Sequence, residues 1–138
     1  MAITQMTSGG EFQTLAQQRI KEARTLFAAD PDCASGSYYL AGYAVECALK
    51  ACIVKLSVED FYRKSLGANY FSHDLKKLLD YAGLTLPARP VVQENWRRVI
   101  LWTEESRYRI RTVAQAQASL DAIDDPAEGI LTWLVTQW

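Results

Sequence analysis

Apolar residues recur along this chain at three- and four-residue steps, and each run predicts a helix. From Glu11 to Asp30, the residues Phe12, Leu15, Ala16, Ile20, Ala23, Leu26 and Phe27 share one side of a helical wheel, with Gln17, Gln18, Lys21 and Glu22 largely opposite. That is an amphipathic helix with one buried stripe. "DPDCASGS" then carries the Pro, Gly, Ser and Asp density of a loop. "SYYLAGYAVECALKACIVKL" is apolar nearly all round and rich in small residues. It predicts the most enclosed helix of the fold, one that lets its neighbours approach closely.

After a linker containing Gly67 and Asn69, "SHDLKKLLDYAG" reads as a short helix with Ser72 as its cap. Leu75, Leu78, Leu79 and Ala82 point inward and Gly83 is the stop. "LPARP" breaks the chain, and Pro90 opens a helix predicted to run to Trp102, burying Val92, Trp96, Val99 and Ile100. Thr112 and Gln115 fit a capping box ahead of a stripe of Val113, Ala116, Leu120 and Ile123. Asp125, Pro126 and Glu128 repeat the start signal before a last helix that carries Trp133 and Trp138. The only alternating stretch is "ESRYRIR". A single strand has no partner to pair with, so this stretch reads as an inter-helix loop or helix end.

The expected fold is therefore all-α: an antiparallel up-and-down bundle of four long helices with one additional short helix. It forms a single domain over residues 1–138, with 1–9 as a flexible N-terminus. The chain has 138 residues, 49% hydrophobic and 22% charged, so one core suffices without a metal, disulfide or cofactor to hold it.

Charge narrows the function classes. A net charge of −1 and a pI near 5.8 exclude a generally basic nucleic-acid coat protein. Any anion site must be local, and Arg89, Arg97, Arg98, Arg107, Arg109 and Arg111 do cluster, offset by Glu94, Glu104 and Glu105. Cys33, Cys47 and Cys52 form no CxxC pair, which fits a reducing, cytoplasmic setting. The one histidine, His73, stands in no metal-ligand spacing, so neither a metal nor a cofactor is expected. The start of the chain lacks the basic and apolar regions of a secretory signal. The most apolar segment carries Glu46, Lys50 and Lys55, which makes it a core helix and not a membrane anchor.

Three motifs in order carry a family resemblance. They are Ala44, Glu46, Ala48, Leu49, Lys50 and Ala51 on the central helix, His73, Asp74 and Leu75 after the linker, and Arg107 with Tyr108 before the last helices. The chain resembles the HEPN family, the higher eukaryotes and prokaryotes nucleotide-binding domains, and within it a prokaryotic branch with an A-x-E-x-A-L-K-A helix. The resemblance implies an up-and-down helical bundle, commonly a homodimer. It also implies a nucleotide-binding module, a metal-independent ribonuclease, or the partner of a small nucleotidyltransferase in a toxin–antitoxin pair. The ribonuclease members carry an arginine, four to six residues, then a histidine. Here "YRIRTVAQAQ" follows Arg107 and no histidine lies downstream.

The residues themselves leave alternatives open. RNA cleavage without a metal needs a group to take the 2′-hydroxyl proton, one to protonate the leaving oxygen, and cations for the charge on phosphorus. Arginine supplies only the last. His73 supplies proton transfer if it shares a cleft with Arg107, and otherwise fixes a loop, with Asp74 favouring the helix start. Arg107, Arg109 and Arg111, with Tyr108 and Lys50, form the candidate phosphate-binding set; in an extended loop the three arginines would face one side. The alternative has two of them solvated or paired with Glu104 and Glu105 and leaves Arg107 as a structural tie to the central helix. Glu46 precedes Lys50 by four residues, so the two can pair on one face, shared with Tyr39, Tyr43 and Ile53. Glu46 and Asp74 form the expected structural polar network, and Glu46 to Arg107 is the preferred contact. Aromatic residues either stack bases or fill the core, and the last helix is a candidate homodimer seam.

The expected function is a HEPN-type binding and regulatory protein, responsive to a nucleotide or single-stranded RNA, working with a nucleotidyltransferase in a toxin–antitoxin or defence-type system. A metal-independent endoribonuclease with an atypical acid–base residue is the alternative, and a purely structural dimerisation module is the third reading.

Overall fold

The fold is described from a computed structural model for residues 8–59 and 72–138. The Gly67–Asn69 linker and residues 1–7 lie outside the described residues. Six α-helices occur among the described residues, and no strand. They are α1 (Gly9–Ala29), α2 (Ala34–Glu59), α3 (Leu75–Tyr81), α4 (Pro90–Val99), α5 (Val113–Asp124) and α6 (Ile130–Val135), with 3-10 turns at Pro31–Cys33 and Glu104–Tyr108.

The all-helical reading holds, but the distribution of lengths differs from four long helices and a short one. Only α1 and α2 are long, at 21 and 26 residues. The C-terminal half is divided into helices of 7, 10, 12 and 6 residues. Local chemistry explains each boundary. Ser8 opens α1 with a reciprocal capping box: its Oγ accepts from the Glu11 N–H at 3.1 Å and its own N–H donates to the Glu11 carboxylate at 3.3 Å. Ser8 and Gly9 therefore belong to the helix and not to a frayed terminus. Asp74, not Ser72, caps α3, accepting from the Lys77 N–H at 3.2 Å, while Ser72 Oγ accepts from the Asp74 N–H. Gly83 ends α3 at φ +68°, a left-handed conformation that lets the Leu84 N–H reach back to the Leu79 carbonyl.

Helix α4 begins at Pro90 but stops at Val99, short of Trp102. The Leu101 and Trp102 N–H groups donate three residues back, to Arg98 and Val99, tightening the last turn. That turn swings Trp102 inward, where it is buried. At the far end, Thr112 and Gln115 form the expected capping box on α5. Asp125 and Pro126 start a turn, not a helix: α6 begins only at Ile130, after Gly129.

The Asp125 carboxylate accepts from the Ala127 and Glu128 N–H groups at 2.9 and 2.7 Å, and these bonds hold its carboxyl below the ordinary 3.8. The unfolded carboxyl binds a proton more tightly than the folded one. The stabilisation is thus fully present above the ordinary value and lost as pH falls through the lowered one. Neighbouring Asp124 runs the other way: burial raises it, and Arg24 at 2.8 Å only partly offsets that. Asp125→Asn keeps the turn's shape and should flatten the acid limb of the stability–pH curve relative to the parent. Urea melts of the two proteins between about pH 2 and about pH 6 check this, because the Asp124 contribution cancels in the difference.

Helices α1 and α2 form an antiparallel hairpin. Gly9 at the start of α1 lies beside Val54 near the end of α2, while Ser37 near the start of α2 donates to the Ala23 carbonyl at 2.8 Å. Phe12, Ala16, Ile20 and Ala23 supply the buried stripe of α1. Helix α2 is the centre of the fold: it touches α1, α3, α5, α6 and both 3-10 turns, and every residue from Ala44 to Ile53 is buried. Each wholly buried Leu or Ile, such as Leu49, Ile53, Leu78 and Ile123, contributes roughly 2 kcal/mol. Ile130, Leu131 and Leu134 of α6 are buried within the chain, so most of the apolar face of that helix is covered by its own core. No helix among the described residues is long and apolar enough to cross a membrane.

Candidate functional site

Two charged residues sit inside the apolar centre of α2. Glu46 is 2% exposed and Lys50 7%, and the Lys50 ammonium donates to Glu46 Oε2 at 3.0 Å. Their four-residue spacing with glutamate first favours this pair. A charge buried this deeply needs further partners. Glu46 has one in His73, whose Nδ1 lies 3.1 Å from each carboxylate oxygen.

The other face of the imidazole is turned outward. His73 Nε2 stands 3.1 Å from Glu104 Oε2, on the 3-10 turn, and the side chain is 46% exposed. One histidine thus bridges the central helix, the entry to α3 and the arginine turn. The bridge lies at a cleft of about 420 Å³ lined by Asp74, Lys76, Ile100, Trp102, Thr103 and Glu105 beside His73 and Glu104. Asp74 lines this cleft but spends its carboxylate on the cap of α3.

Trp102 forms the apolar floor. Its indole lies on Gly42, where a Cβ would collide with the ring, and its Nε1–H donates to the Tyr39 carbonyl at 3.1 Å. Tyr39 continues the aromatic surface, with ring centroids 5.9 Å from both Tyr43 and Trp102. Tyr43 is pushed up from its ordinary value of 10.0 by burial first, with smaller contributions from neighbours that include the Glu46 carboxylate. Burial likewise pushes Cys47 up to about 12 and Cys52 to about 11. Both thiols stay protonated at neutral pH and act as small apolar groups.

The arginines do not share one side. Arg107 belongs to the 3-10 turn and not to an extended loop, and its guanidinium lies 4.9 Å from the Tyr108 ring centroid. The Tyr108 hydroxyl beside it raises its pKa most, with smaller contributions from Tyr39 and the Glu104 charge. Arg111 is directed back to α2: its guanidinium lies 4.4 Å from the Tyr38 ring centroid, and its N–H donates to Ser35 Oγ at 2.8 Å. It is a structural tie. Arg109 is exposed between them, next to Tyr108 at 78% and Ile110 at 94% exposure. Neither Arg107 nor Arg109 forms an ion pair among the described residues.

The expected contact between Glu46 and Arg107 is not made. The buried Lys50 and the partly exposed His73 already occupy Glu46, whereas Arg107 stays at the surface. Lys50, placed in the phosphate-binding set from sequence, is buried against Glu46 and does not face solvent. Trp96 and Trp102 are core residues, and Trp133 and Trp138 are half-buried against the core. Among the described residues no three His, Cys, Asp or Glu side chains converge for a metal ion.

Sequence reasoning missed the contact of Glu104 with His73, having treated Glu104 as an offset to the arginines or an ion-pair partner for one of them. No signal in the chain links it to His73, because the contact spans separate elements. It also missed Gly42, although the small residues of α2 did announce a close approach. Comparison of the chain with protein-family models, with curated proteins and with solved structures yields no match.

Proposed function

We propose that this chain is a HEPN-type helical bundle that binds a nucleotide or single-stranded RNA through phosphate contacts at Arg107 and Arg109. Tyr108 offers a ring on which a base stacks. It acts as a binding and regulatory protein, working as a homodimer with a separately encoded nucleotidyltransferase in a toxin–antitoxin or defence-type system. The family part of this reading is supported by the order of the three motifs and by the all-helical architecture. The anion part is carried by one observation: two exposed guanidinium groups, free of acidic partners among the described residues, flank an exposed tyrosine. Guanidinium forks match phosphate oxygens, and exposed rings stack bases without sequence preference.

Binding without turnover is favoured by the state of the only histidine. Both nitrogens of His73 are engaged by carboxylates, Glu46 inside and Glu104 outside. A group that takes a 2′-hydroxyl proton needs one nitrogen open to the substrate. The ribonuclease reading keeps one supporting observation, that Glu104 lies in contact with His73 and close enough to Arg107 for its charge to act there.

The test is fluorescence anisotropy of a labelled mixed-sequence oligoribonucleotide in chelator, with the parent protein and Arg107→Ala. Affinity should fall roughly tenfold in the variant, weaken with salt, and leave the RNA intact over time. Cleavage by the parent that is lost in both Arg107→Ala and His73→Ala would establish the ribonuclease instead. No binding by either protein would leave the dimerisation module.

A further inference from the structure

We infer that Glu104 is an internal competitor for the anion site at Arg107, and that His73 holds it away from that site. The inference rests on the anion-binding reading of Arg107. It adds a residue that sets the affinity of the site and a proton that controls it.

Glu104 and Arg107 are three residues apart in a 3-10 turn. With three residues per turn, such side chains eclipse each other, so a carboxylate and a guanidinium at these positions are natural ion-pair partners. The pair is not formed. Glu104 Oε2 lies 3.1 Å from His73 Nε2, and Arg107 rests over the Tyr108 ring. His73 therefore takes the carboxylate that would otherwise cover the arginine.

The inner contact decides when His73 can do this. Glu46 is held by Lys50 at 3.0 Å and turns both oxygens to His73 Nδ1. An ionised carboxylate only accepts, so Nδ1 must carry a proton. A neutral ring then has its lone pair on Nε2, facing the Glu104 oxygen, and two acceptors at that distance repel. Only the doubly protonated ring donates to both carboxylates. The groups facing the imidazole are Glu46 and Lys50 from α2, Asp74 and Lys76 from its own segment, and Glu104 and Glu105 from the turn.

The consequence is a site that opens with acid. With His73 charged, Glu104 is held and Arg107 is open to phosphate. With His73 neutral, Glu104 is released onto its eclipsed neighbour, where it occupies the guanidinium and repels an incoming anion. Affinity for a phosphate-bearing ligand then falls once rising pH has taken the second proton from the ring.

Two measurements on the full chain test this. In the first, the labelled oligoribonucleotide is titrated from about pH 5 to about pH 8 into the parent, Glu104→Gln and His73→Gln. The parent should weaken roughly two- to fivefold across that range, the scale of an exposed ion pair. Glu104→Gln should bind at every pH as the parent does in acid, and His73→Gln as the parent does in base. A Glu104→Gln protein that keeps the parent's pH slope, or binds more weakly than the parent at high pH, overturns the inference.

The second measurement uses no ligand. Nitrogen NMR of the arginine side chains should show the Arg107 Nε signal moving with pH in the parent and staying still in Glu104→Gln. A signal that stays still in the parent overturns the competition whether or not RNA binds. A signal that moves while no RNA binds supports the exchange of Glu104 and instead removes the anion-binding reading.

Discussion

Glu46→Ala should cost about 3 to 5 kcal/mol of folding stability, the scale for breaking a buried ion pair by removing one partner. Glu46 and Lys50 are both buried in the middle of α2. The substitution removes the carboxylate that balances the Lys50 ammonium and the acceptor that fixes His73 Nδ1. It also leaves a small void at the most enclosed point of the fold. The double substitution Glu46→Leu with Lys50→Met should recover most of the loss, because buried ion pairs are often replaceable by apolar groups of similar volume. Urea denaturation followed by the helical circular-dichroism signal measures both. A loss below about 1 kcal/mol for Glu46→Ala would mean that water replaces the carboxylate and that the pair is not sealed in the core.

Gly42→Ala should destabilise the protein by about 2 kcal/mol, against the direction that helix propensity sets. Alanine in place of glycine within a helix ordinarily stabilises by about 1 kcal/mol. Here the new methyl group would meet Cγ, Cδ1 and Nε1 of Trp102. These atoms lie at the root of the indole, so the ring cannot swing aside at its tip. Either the whole side chain leaves or α2 shifts, and overpacking of this kind costs about 1 to 3 kcal/mol. Displacement also breaks the bond from the indole N–H to the Tyr39 carbonyl. The tryptophan emission should shift to the red as Trp102 becomes wetter, and Trp102→Leu in the Gly42→Ala background should restore part of the stability. A Gly42→Ala protein more stable than its parent would show that the indole does not rest on this helix face.

The helices were legible because their signals are local. The stripe of Phe12, Ala16, Ile20 and Ala23, the Gly83 stop, the Pro90 start and the Thr112–Gln115 capping box each depend on residues within a turn or two of one another. The enclosed character of α2 was legible for the same reason, since a helix apolar on every side has no face to give to water. The errors fell where two local signals compete. Ser72 and Asp74 are both good caps, and the Asp125 carboxylate found its donors in a turn before any helix formed.

The site divides along the same line. By itself the sequence determined that Glu46 and Lys50 pair, because a four-residue helical spacing sets that geometry. It also determined that Arg107 to Arg111 form a locally basic stretch in a chain of nearly neutral charge. Only the tertiary structure decided which charges meet across elements. His73 reaches Glu46 over 27 positions, and its other nitrogen meets Glu104 on a third element. Arg111 turns back to Tyr38, and Trp102 takes the space over Gly42. An unpaired charge or ring accepts many partners of comparable energy, and the backbone path selects among them by proximity.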